Sequence, residues 1–304
     1  MRSGPAMIDA LAAPLRVFQR TISEMQAPEL AIRLTLVYLL LKPLELWFLH
    51  TPMIVLVGAA LLSPKLGRSP TLWLLLTLLG GAQVLWTWDW IDNHQYLIVY
   101  WCLAVFCSLK TDDPTRTLAI NGRLLIAAPF ALALVWKLLL TSEFADGSLF
   151  RELLLTDPRF QSFAAVLGMS ESVRFENDTV LRQLSTGRSA TGTLVEPAGH
   201  VLIAQLMTWW TIITETAIVL AFLIPSRTKL ADGLRDATLI VFCWTAYSFG
   251  NVTGFGWLLL TMGVAQSAAE RKRTRFLYLA TLVLILVFAR TPWTDFATLL
   301  FGWM

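Results

Sequence analysis

The sequence predicts an all-α, polytopic transmembrane helical bundle of about nine spans with no sizeable soluble domain. The 304-residue chain is 56% hydrophobic and only 15% charged, with a mean hydropathy of +0.62, whereas a soluble domain carries about 25% charged residues. Apolar stretches near the roughly 20 residues needed to cross a bilayer recur from one end of the chain to the other. These two observations together exclude an ordinary soluble enzyme.

The predicted spans follow one another closely. They lie near 30–48, 50–64, 71–88, 93–109, 119–140, 200–223, 236–250, 253–268 and 274–290. Two pairs, 30–64 and 236–268, are crowded, and each is either a hairpin of two short helices or one broken helix. If both are hairpins, every basic loop falls on the same side of the membrane, so the positive-inside rule favours hairpins.

The basic residues also predict the orientation. Most Lys and Arg residues occur in five short stretches: Arg2/Arg16/Arg20, Lys65/Arg68, Lys110/Arg116, Arg227/Lys229/Arg235 and Arg271/Lys272/Arg273/Arg275. The intervening loops 86–92 and 250–254 contain none. We therefore predict a multi-pass protein of the plasma (inner) membrane with a cytoplasmic N-terminus and an external C-terminus.

Three regions follow from this topology. Residues 1–28 form a cytoplasmic N-terminal segment, in which Met7–Met25 is a candidate interfacial helix and no cleavable signal peptide is expected. Residues 29–291 form the transmembrane domain, with 141–198 as an external segment, and 292–304 form an external tail. The bilayer is the expected partner, and the basic residues form no nucleic-acid patch.

Lys137 and His94 are the most unusual residues, because each lies in an apolar segment. An ammonium at the centre of a bilayer costs about 2.5–3.5 kcal/mol, so such a residue needs a partner, a cavity or a function. On the predicted topology both lie at the external face. The other polar residues of that face, or of the span that begins there, are His50, Asp89, Asp92, Asn93, His200, Thr208, Thr211, Glu215 and Asn251.

Each candidate also has a structural interpretation. Lys137 can extend its ammonium to the headgroups, and His94 can cap its helix and be solvated. The threonines that precede Glu215 can bond to backbone carbonyls or hold helices together, and a protonated Glu215 can hold a neighbouring helix. The spacing D-x-x-D-x-H fits no standard metal signature, so no metal site is expected.

Four segments carry a resemblance to a known family. They are Trp90-Ile-Asp-Asn93-His94-Gln-Tyr96-Leu97, then Trp136-Lys137 with Phe144-Ala-Asp-Gly147, then Leu206 to Glu215 with Ile224-Pro225-Ser-Arg227, and finally Phe242-Cys243 with Gly254 and Met262. Their order and spacing over most of residues 30–290 resemble the horizontally transferred transmembrane (HTTM) domain family. This family includes the membrane domain of the vitamin K-dependent gamma-carboxylase.

The resemblance implies a helical fold with an externally facing pocket for a quinol, in which Lys137 is the base and His94 supports catalysis. Asp92, Asn93, His200, Glu215 and Asn251 are the expected supporting or substrate-binding residues. Burial favours a neutral lysine, which can accept a proton from an acidic hydroxyl. The residues themselves indicate no cofactor, so the quinol rests on the resemblance alone.

This sequence departs from the family pattern in several places. Lys137 stands alone, where the carboxylase has two adjacent lysines, and Cys243 occupies a position at which the family often has histidine. We also expect the carboxylase's extramembrane, peptide-binding domain to be missing. The alternative function is therefore a non-catalytic membrane subunit that helps to mature, export or assemble a membrane or secreted partner protein.

Overall fold

The computed structural model describes residues 24–42, 44–89, 91–141, 144–187, 192–197, 199–225, 228–247, 250, 252–268 and 270–291. Every regular element within these ranges is helical, which confirms the all-α class. The predicted interfacial helix up to residue 23, the tail 292–304 and Asn251 lie outside the described residues.

The helices are numbered in chain order. They are α1 Ala27–Leu41, α2 Trp47–Leu62, α3 Pro64–Gly67, α4 Pro70–Trp86, α5 Asn93–Leu109, α6 Pro114–Val135, α7 Ser148–Thr156, α8 Gln161–Val166, α9 Glu171–Ser185, α10 His200–Leu223, α11 Lys229–Tyr247, α12 Thr253–Gln266 and α13 Lys272–Arg290. A π-helical turn, Trp136–Leu140, continues α6, and a 3₁₀ turn, Pro158–Phe160, precedes α8.

A helix overlaps each of the nine predicted ranges, and each crowded pair forms two separate helices rather than one. Within the described residues, two helices are both long and apolar enough to cross a membrane, Pro114–Leu140 and His200–Leu223. The apolar helices Trp47–Leu62 and Pro70–Trp86 are shorter. At 1.5 Å per residue, a helix of 16 residues is about 24 Å long, below the roughly 30 Å of a hydrocarbon core. The number of spans therefore stays a prediction.

The described residues form two compact units. Unit 1 contains the residues up to Ile126 together with Gly254–Leu282, and unit 2 contains Ala127–Thr253 together with the residues from Val283. The boundaries fall inside α6 and α13 and after the first residue of α12. The predicted transmembrane domain, 29–291, stays a prediction.

In unit 1 the helices α1, α2, α4 and α5 pack as consecutive neighbours. At one end, the Leu46 backbone N–H donates to the side-chain oxygen of Gln83 at 3.2 Å. Gly80 of α4 faces Val99 of α5, and a Cβ at this glycine would lie 2.9 Å from the valine side chain. A glycine at position 80 thus allows the two helices to approach closely.

The two ends of unit 1 differ in character. One end exposes the aromatic side chains of Trp47, Phe48 and Trp86, which contact one another in T-shaped pairs. At the other end Glu29 pairs with both Arg33 and Arg68. The chain alternates between these ends from helix to helix, because a loop at the aromatic end follows α1 and a turn at the charged end follows α2.

In unit 2, α7 packs against α10 and α9, and α10 packs against α11. The side chain of Asn177 in α9 binds the backbone of Val195 twice, donating to its carbonyl at 2.9 Å and accepting from its N–H at 2.8 Å. This pair of bonds fixes the segment that leads into α10. Gly147, at the start of α7, approaches the backbone of Gln205 so closely that a Cβ would lie 3.3 Å from its nitrogen.

Candidate functional site

A buried ion pair joins Lys137 and Glu215 in unit 2. The lysine Nζ lies 2.5 Å from Glu215 Oε1, and the side chains are only 11% and 7% exposed. Burying a charge in an apolar environment is costly unless an opposite charge pairs with it. The partner of Lys137 is therefore Glu215 of the same unit. The lysine does not extend its ammonium towards the headgroups.

Local backbone geometry sets the position of the lysine. Lys137 lies in the π turn Trp136–Leu140. The turn ends with a hydrogen bond from the Thr141 N–H to the Trp136 carbonyl oxygen at 3.1 Å. A π turn inserts one residue into the helical repeat and rotates the side chains that follow, and such turns occur frequently at functional sites. Glu215 lies on the regular helix α10, in its buried stripe.

Phe144 covers the ion pair on one side. Lys137 Nζ lies 4.6 Å from the centre of its ring, which is a cation–π distance. The ring belongs to a cluster with Leu134 and Ile212 and contacts Phe150 edge-on. The loop that carries it is fixed by Asp146, whose Oδ1 accepts the Ser148 N–H at 2.8 Å. Apolar side chains therefore keep bulk water away from the charges.

One carboxylate oxygen of the pair has no hydrogen-bond partner within the described part of the chain. Glu215 Oε2 is buried and accepts no hydrogen bond from any described residue. A buried carboxylate oxygen without a donor is costly. It is therefore a favourable place for a proton to bind.

The threonines that precede Glu215 do not line a proton path. Thr208 donates to the Ala204 carbonyl at 2.9 Å and Thr211 donates to the Met207 carbonyl at 2.8 Å. Thr214 donates to the Trp210 carbonyl at 2.8 Å. Each hydroxyl proton is thus used within α10, which is the back-bonding alternative considered from the sequence.

Unit 2 also contains a cavity of about 590 Å³. This volume is in the range of small-molecule sites. Its walls come from α7, the 3₁₀ turn, α8, α10 and α11, and they are mostly aromatic or aliphatic. The lining residues include Phe150, Phe160, Trp210, Thr214, Thr245 and Tyr247.

The cavity and the ion pair are neighbours, although Lys137 and Glu215 do not line the cavity. Phe150 lines it and contacts Phe144, the residue that covers Lys137. Thr214 lines it and directly precedes Glu215. One layer of side chains thus separates an apolar cavity from the buried ion pair.

His94 lies in unit 1 and has different surroundings. Its side chain is 16% exposed, and its Nδ1 lies 3.8 Å from Asp92 Oδ2, too far for a direct hydrogen bond. Gly254 packs against the ring, because a Cβ there would lie 3.0 Å from His94 Cδ2 and 3.3 Å from the Tyr38 hydroxyl. His94 is therefore a mostly buried side chain rather than a solvated cap.

The remaining predicted residues are not gathered into one cluster. Asp92 and Asn93 are exposed at the start of α5. His200 is buried in unit 2, where its Nδ1 lies 3.8 Å from Glu196 Oε2, and Glu196 pairs with Arg151 at 2.5 Å. Among the described residues, no group of three or more His, Cys, Asp or Glu side chains converges as a metal site would require.

Sequence reasoning missed the Lys137–Glu215 contact and the role of Phe144 as its cover. One signal was present. Lys137 follows a run of apolar residues, 124–136, and Glu215 is the one acidic residue of α10. An intramembrane charge is usually paired with another. The aromatic cavity and Tyr247 had no comparable signal, because aromatic residues occur throughout the chain.

Comparison of the chain with protein-family models, with curated proteins and with solved structures finds no match.

Proposed function

We propose that the protein is a multi-pass membrane enzyme that deprotonates the hydroxyl group of a lipid-soluble substrate held in the aromatic cavity of unit 2. The observation that carries the proposal is the buried Lys137–Glu215 pair, one layer of side chains from a cavity of about 590 Å³. The substrate class is a quinol, which rests on the sequence resemblance to the HTTM family. The supporting role of His94, which lies in unit 1, stays a prediction from the resemblance alone and is not part of this proposal.

In this proposal the base is Glu215, whereas the sequence alone suggested Lys137. The carboxylate of Glu215 has one oxygen bonded to Lys137 and a second oxygen that no described residue donates to. Substrate binding displaces the layer of side chains between the cavity and Glu215; when the substrate O–H bond then breaks, its proton binds the free oxygen, and Lys137 keeps its positive charge. The pair then carries one net positive charge, which balances the negative charge on the substrate oxygen.

The cavity fits a quinol in size and chemistry. Trp210 and Phe160 supply flat apolar surfaces for a ring. Apolar walls also exclude water, which strengthens the attraction between the ammonium and a developing anion.

The experiment is the anaerobic addition of a reduced naphthoquinone to the purified protein in nanodiscs at neutral pH. The protein is expected to generate the absorbance band of the singly deprotonated quinol, which nanodiscs without protein do not generate. Absence of this band in the wild-type protein would overturn the proposal.

Unit 1 supports the multi-pass topology. Its charged end carries Glu29, Arg33 and Arg68, whereas its opposite end exposes aromatic side chains. Aromatic side chains prefer the membrane interface, and basic residues prefer the cytoplasmic side. We therefore infer that the end with Arg33 and Arg68 is cytoplasmic and that the end with Trp47 and Trp86 is external.

Cysteine labelling tests this topology. In a background without the native cysteines, a membrane-impermeant thiol reagent is expected to label Ser185→Cys and not Lys272→Cys in intact cells, because the first position is predicted to be external and the second cytoplasmic. Both side chains are exposed, so burial does not prevent labelling. Labelling of only Lys272→Cys would reverse the topology. Labelling of both would show that one crowded pair is a single span.

A further inference from the structure

A cleft opens at the charged end of unit 1, where α1, α2 and α3 meet. Its volume is about 50 Å³, several times the roughly 10–15 Å³ that one water molecule needs. The charged lining residues are Glu29, Arg33 and Arg68, and most of the others are apolar, among them Ile32, Leu36 and Leu61. The cleft therefore offers both charged and apolar contacts to a ligand.

The two arginines of the cleft share one carboxylate. Arg33 Nη2 donates to Glu29 Oε1 at 2.9 Å, and Arg68 Nη2 donates to Glu29 Oε2. Two positive charges thus face one negative charge, and the cleft keeps a net positive charge. A guanidinium carries several N–H donors, and within the described part of the chain only Glu29 accepts from these two. Because the arginine side chains are 47% and 61% exposed, their remaining donors are accessible to an anion.

The apolar part of the cleft continues onto the protein surface. Leu62, which follows the lining residue Leu61, is 89% exposed. An exposed leucine next to a cleft with two arginines fits the boundary between hydrocarbon and headgroups, where long basic side chains place their charges. A free phosphate ion would use the arginines and leave the apolar wall uncovered, whereas a phospholipid contacts both.

We propose that this cleft binds an anionic phospholipid: Arg33 and Arg68 donate to the phosphate oxygens, and the apolar wall contacts the lipid next to its headgroup. Arginine suits this role because its planar guanidinium can donate two parallel hydrogen bonds to a phosphate. Glu29 holds both guanidinium groups in place for the ligand. The inference rests on the proposed topology, which places this end at the cytoplasmic leaflet, where anionic lipids are concentrated. It does not depend on the quinol chemistry of unit 2.

The test compares two lipids with the same acyl chains, the anionic phosphatidylglycerol and the zwitterionic phosphatidylcholine. Native mass spectrometry measures their binding to the full chain, which is solubilised in detergent and freed of lipid beforehand. The wild-type protein is expected to prefer phosphatidylglycerol by about fivefold, the size expected for one net positive charge beside an anionic lipid. Arg33→Gln/Arg68→Gln is expected to bring this ratio close to one and to leave the affinity for phosphatidylcholine unchanged.

Lys110→Gln/Arg116→Gln is the matched control. It removes two positive charges from another stretch of unit 1 that is predicted to be cytoplasmic, and neither residue lines the cleft. This variant is expected to keep the fivefold ratio. Arg68→Gln alone, which changes the more exposed of the two arginines, is expected to lose at least half of the preference, so the test does not depend on the folding of the double variant.

Three results would overturn the inference. They are a wild-type ratio of one, a ratio that survives Arg33→Gln/Arg68→Gln, and an equal loss in both double variants, which would mean that the preference follows net charge alone. Inorganic phosphate at the same concentration is expected not to displace phosphatidylglycerol, and displacement would show an ion site instead of a lipid site. The quinol absorbance test has a separate readout, so failure here leaves the proposed function standing.

Discussion

Replacing Lys137 by methionine is expected to lower the free energy of unfolding by about 3–5 kcal/mol, because it leaves the buried Glu215 carboxylate without its counter-charge. Methionine has a similar length and keeps an apolar contact with Phe144, so packing changes little. The measurement is unfolding in mixed micelles of increasing SDS content, followed by tryptophan fluorescence. This is the largest single-residue effect on stability that we expect.

The double variant Lys137→Met/Glu215→Leu separates the loss of charge pairing from the loss of packing. Replacing a buried ion pair by apolar side chains of similar volume is often neutral or stabilising. We therefore expect the double variant to recover most of the stability that the single variant loses. If Lys137→Met alone is as stable as the wild-type protein, the two charges are not a buried pair.

Replacing Gly147 by valine is expected to have the second largest effect. Its φ of +87° costs a residue with a side chain about 1–2 kcal/mol. The new Cβ would also lie 3.2–3.4 Å from Gln205, and such overpacking typically costs a further ~1–3 kcal/mol. The same SDS unfolding measurement applies. The substitution also displaces the loop that holds Phe144 over Lys137.

Gly168→Val is the matched control for this prediction. Gly168 has nearly the same φ, +89°, but nothing lies within 4 Å of the position that its Cβ would occupy. We expect Gly168→Val to lower the free energy of unfolding only by the cost of the positive φ. Equal losses in the two variants would mean that Gly147 does not pack against α10, and that the position of Phe144 is not fixed by this contact.

The helical content could be predicted from the sequence, but the helix ends could not. The first predicted span, 30–48, extends beyond α1, which ends at Leu41. The following Lys42 and Pro43 explain the difference, since proline disfavours a helical conformation at the preceding residue. Hydropathy averaged over a long window does not detect such a break.

The candidate site could be predicted by residue type and not by contact. Lys137 and Glu215 both stand out as charges in apolar helices, but they are separated by 78 positions in sequence. Their contact depends on the π turn and on the packing of the elements that carry them. The cavity depends on side chains from five elements, and no short sequence pattern specifies how these side chains leave a space.

The most direct test of the central claim is the absorbance of the deprotonated quinol in the wild-type protein and in Lys137→Met/Glu215→Leu. Both proteins are expected to fold and to bind the reduced naphthoquinone, because neither substituted residue lines the cavity. Only the wild-type protein is expected to generate the band of the anion at neutral pH. A band of equal intensity in the double variant would contradict the account, because deprotonation would not need the pair. No band in either protein would also contradict it and would favour the non-catalytic membrane subunit.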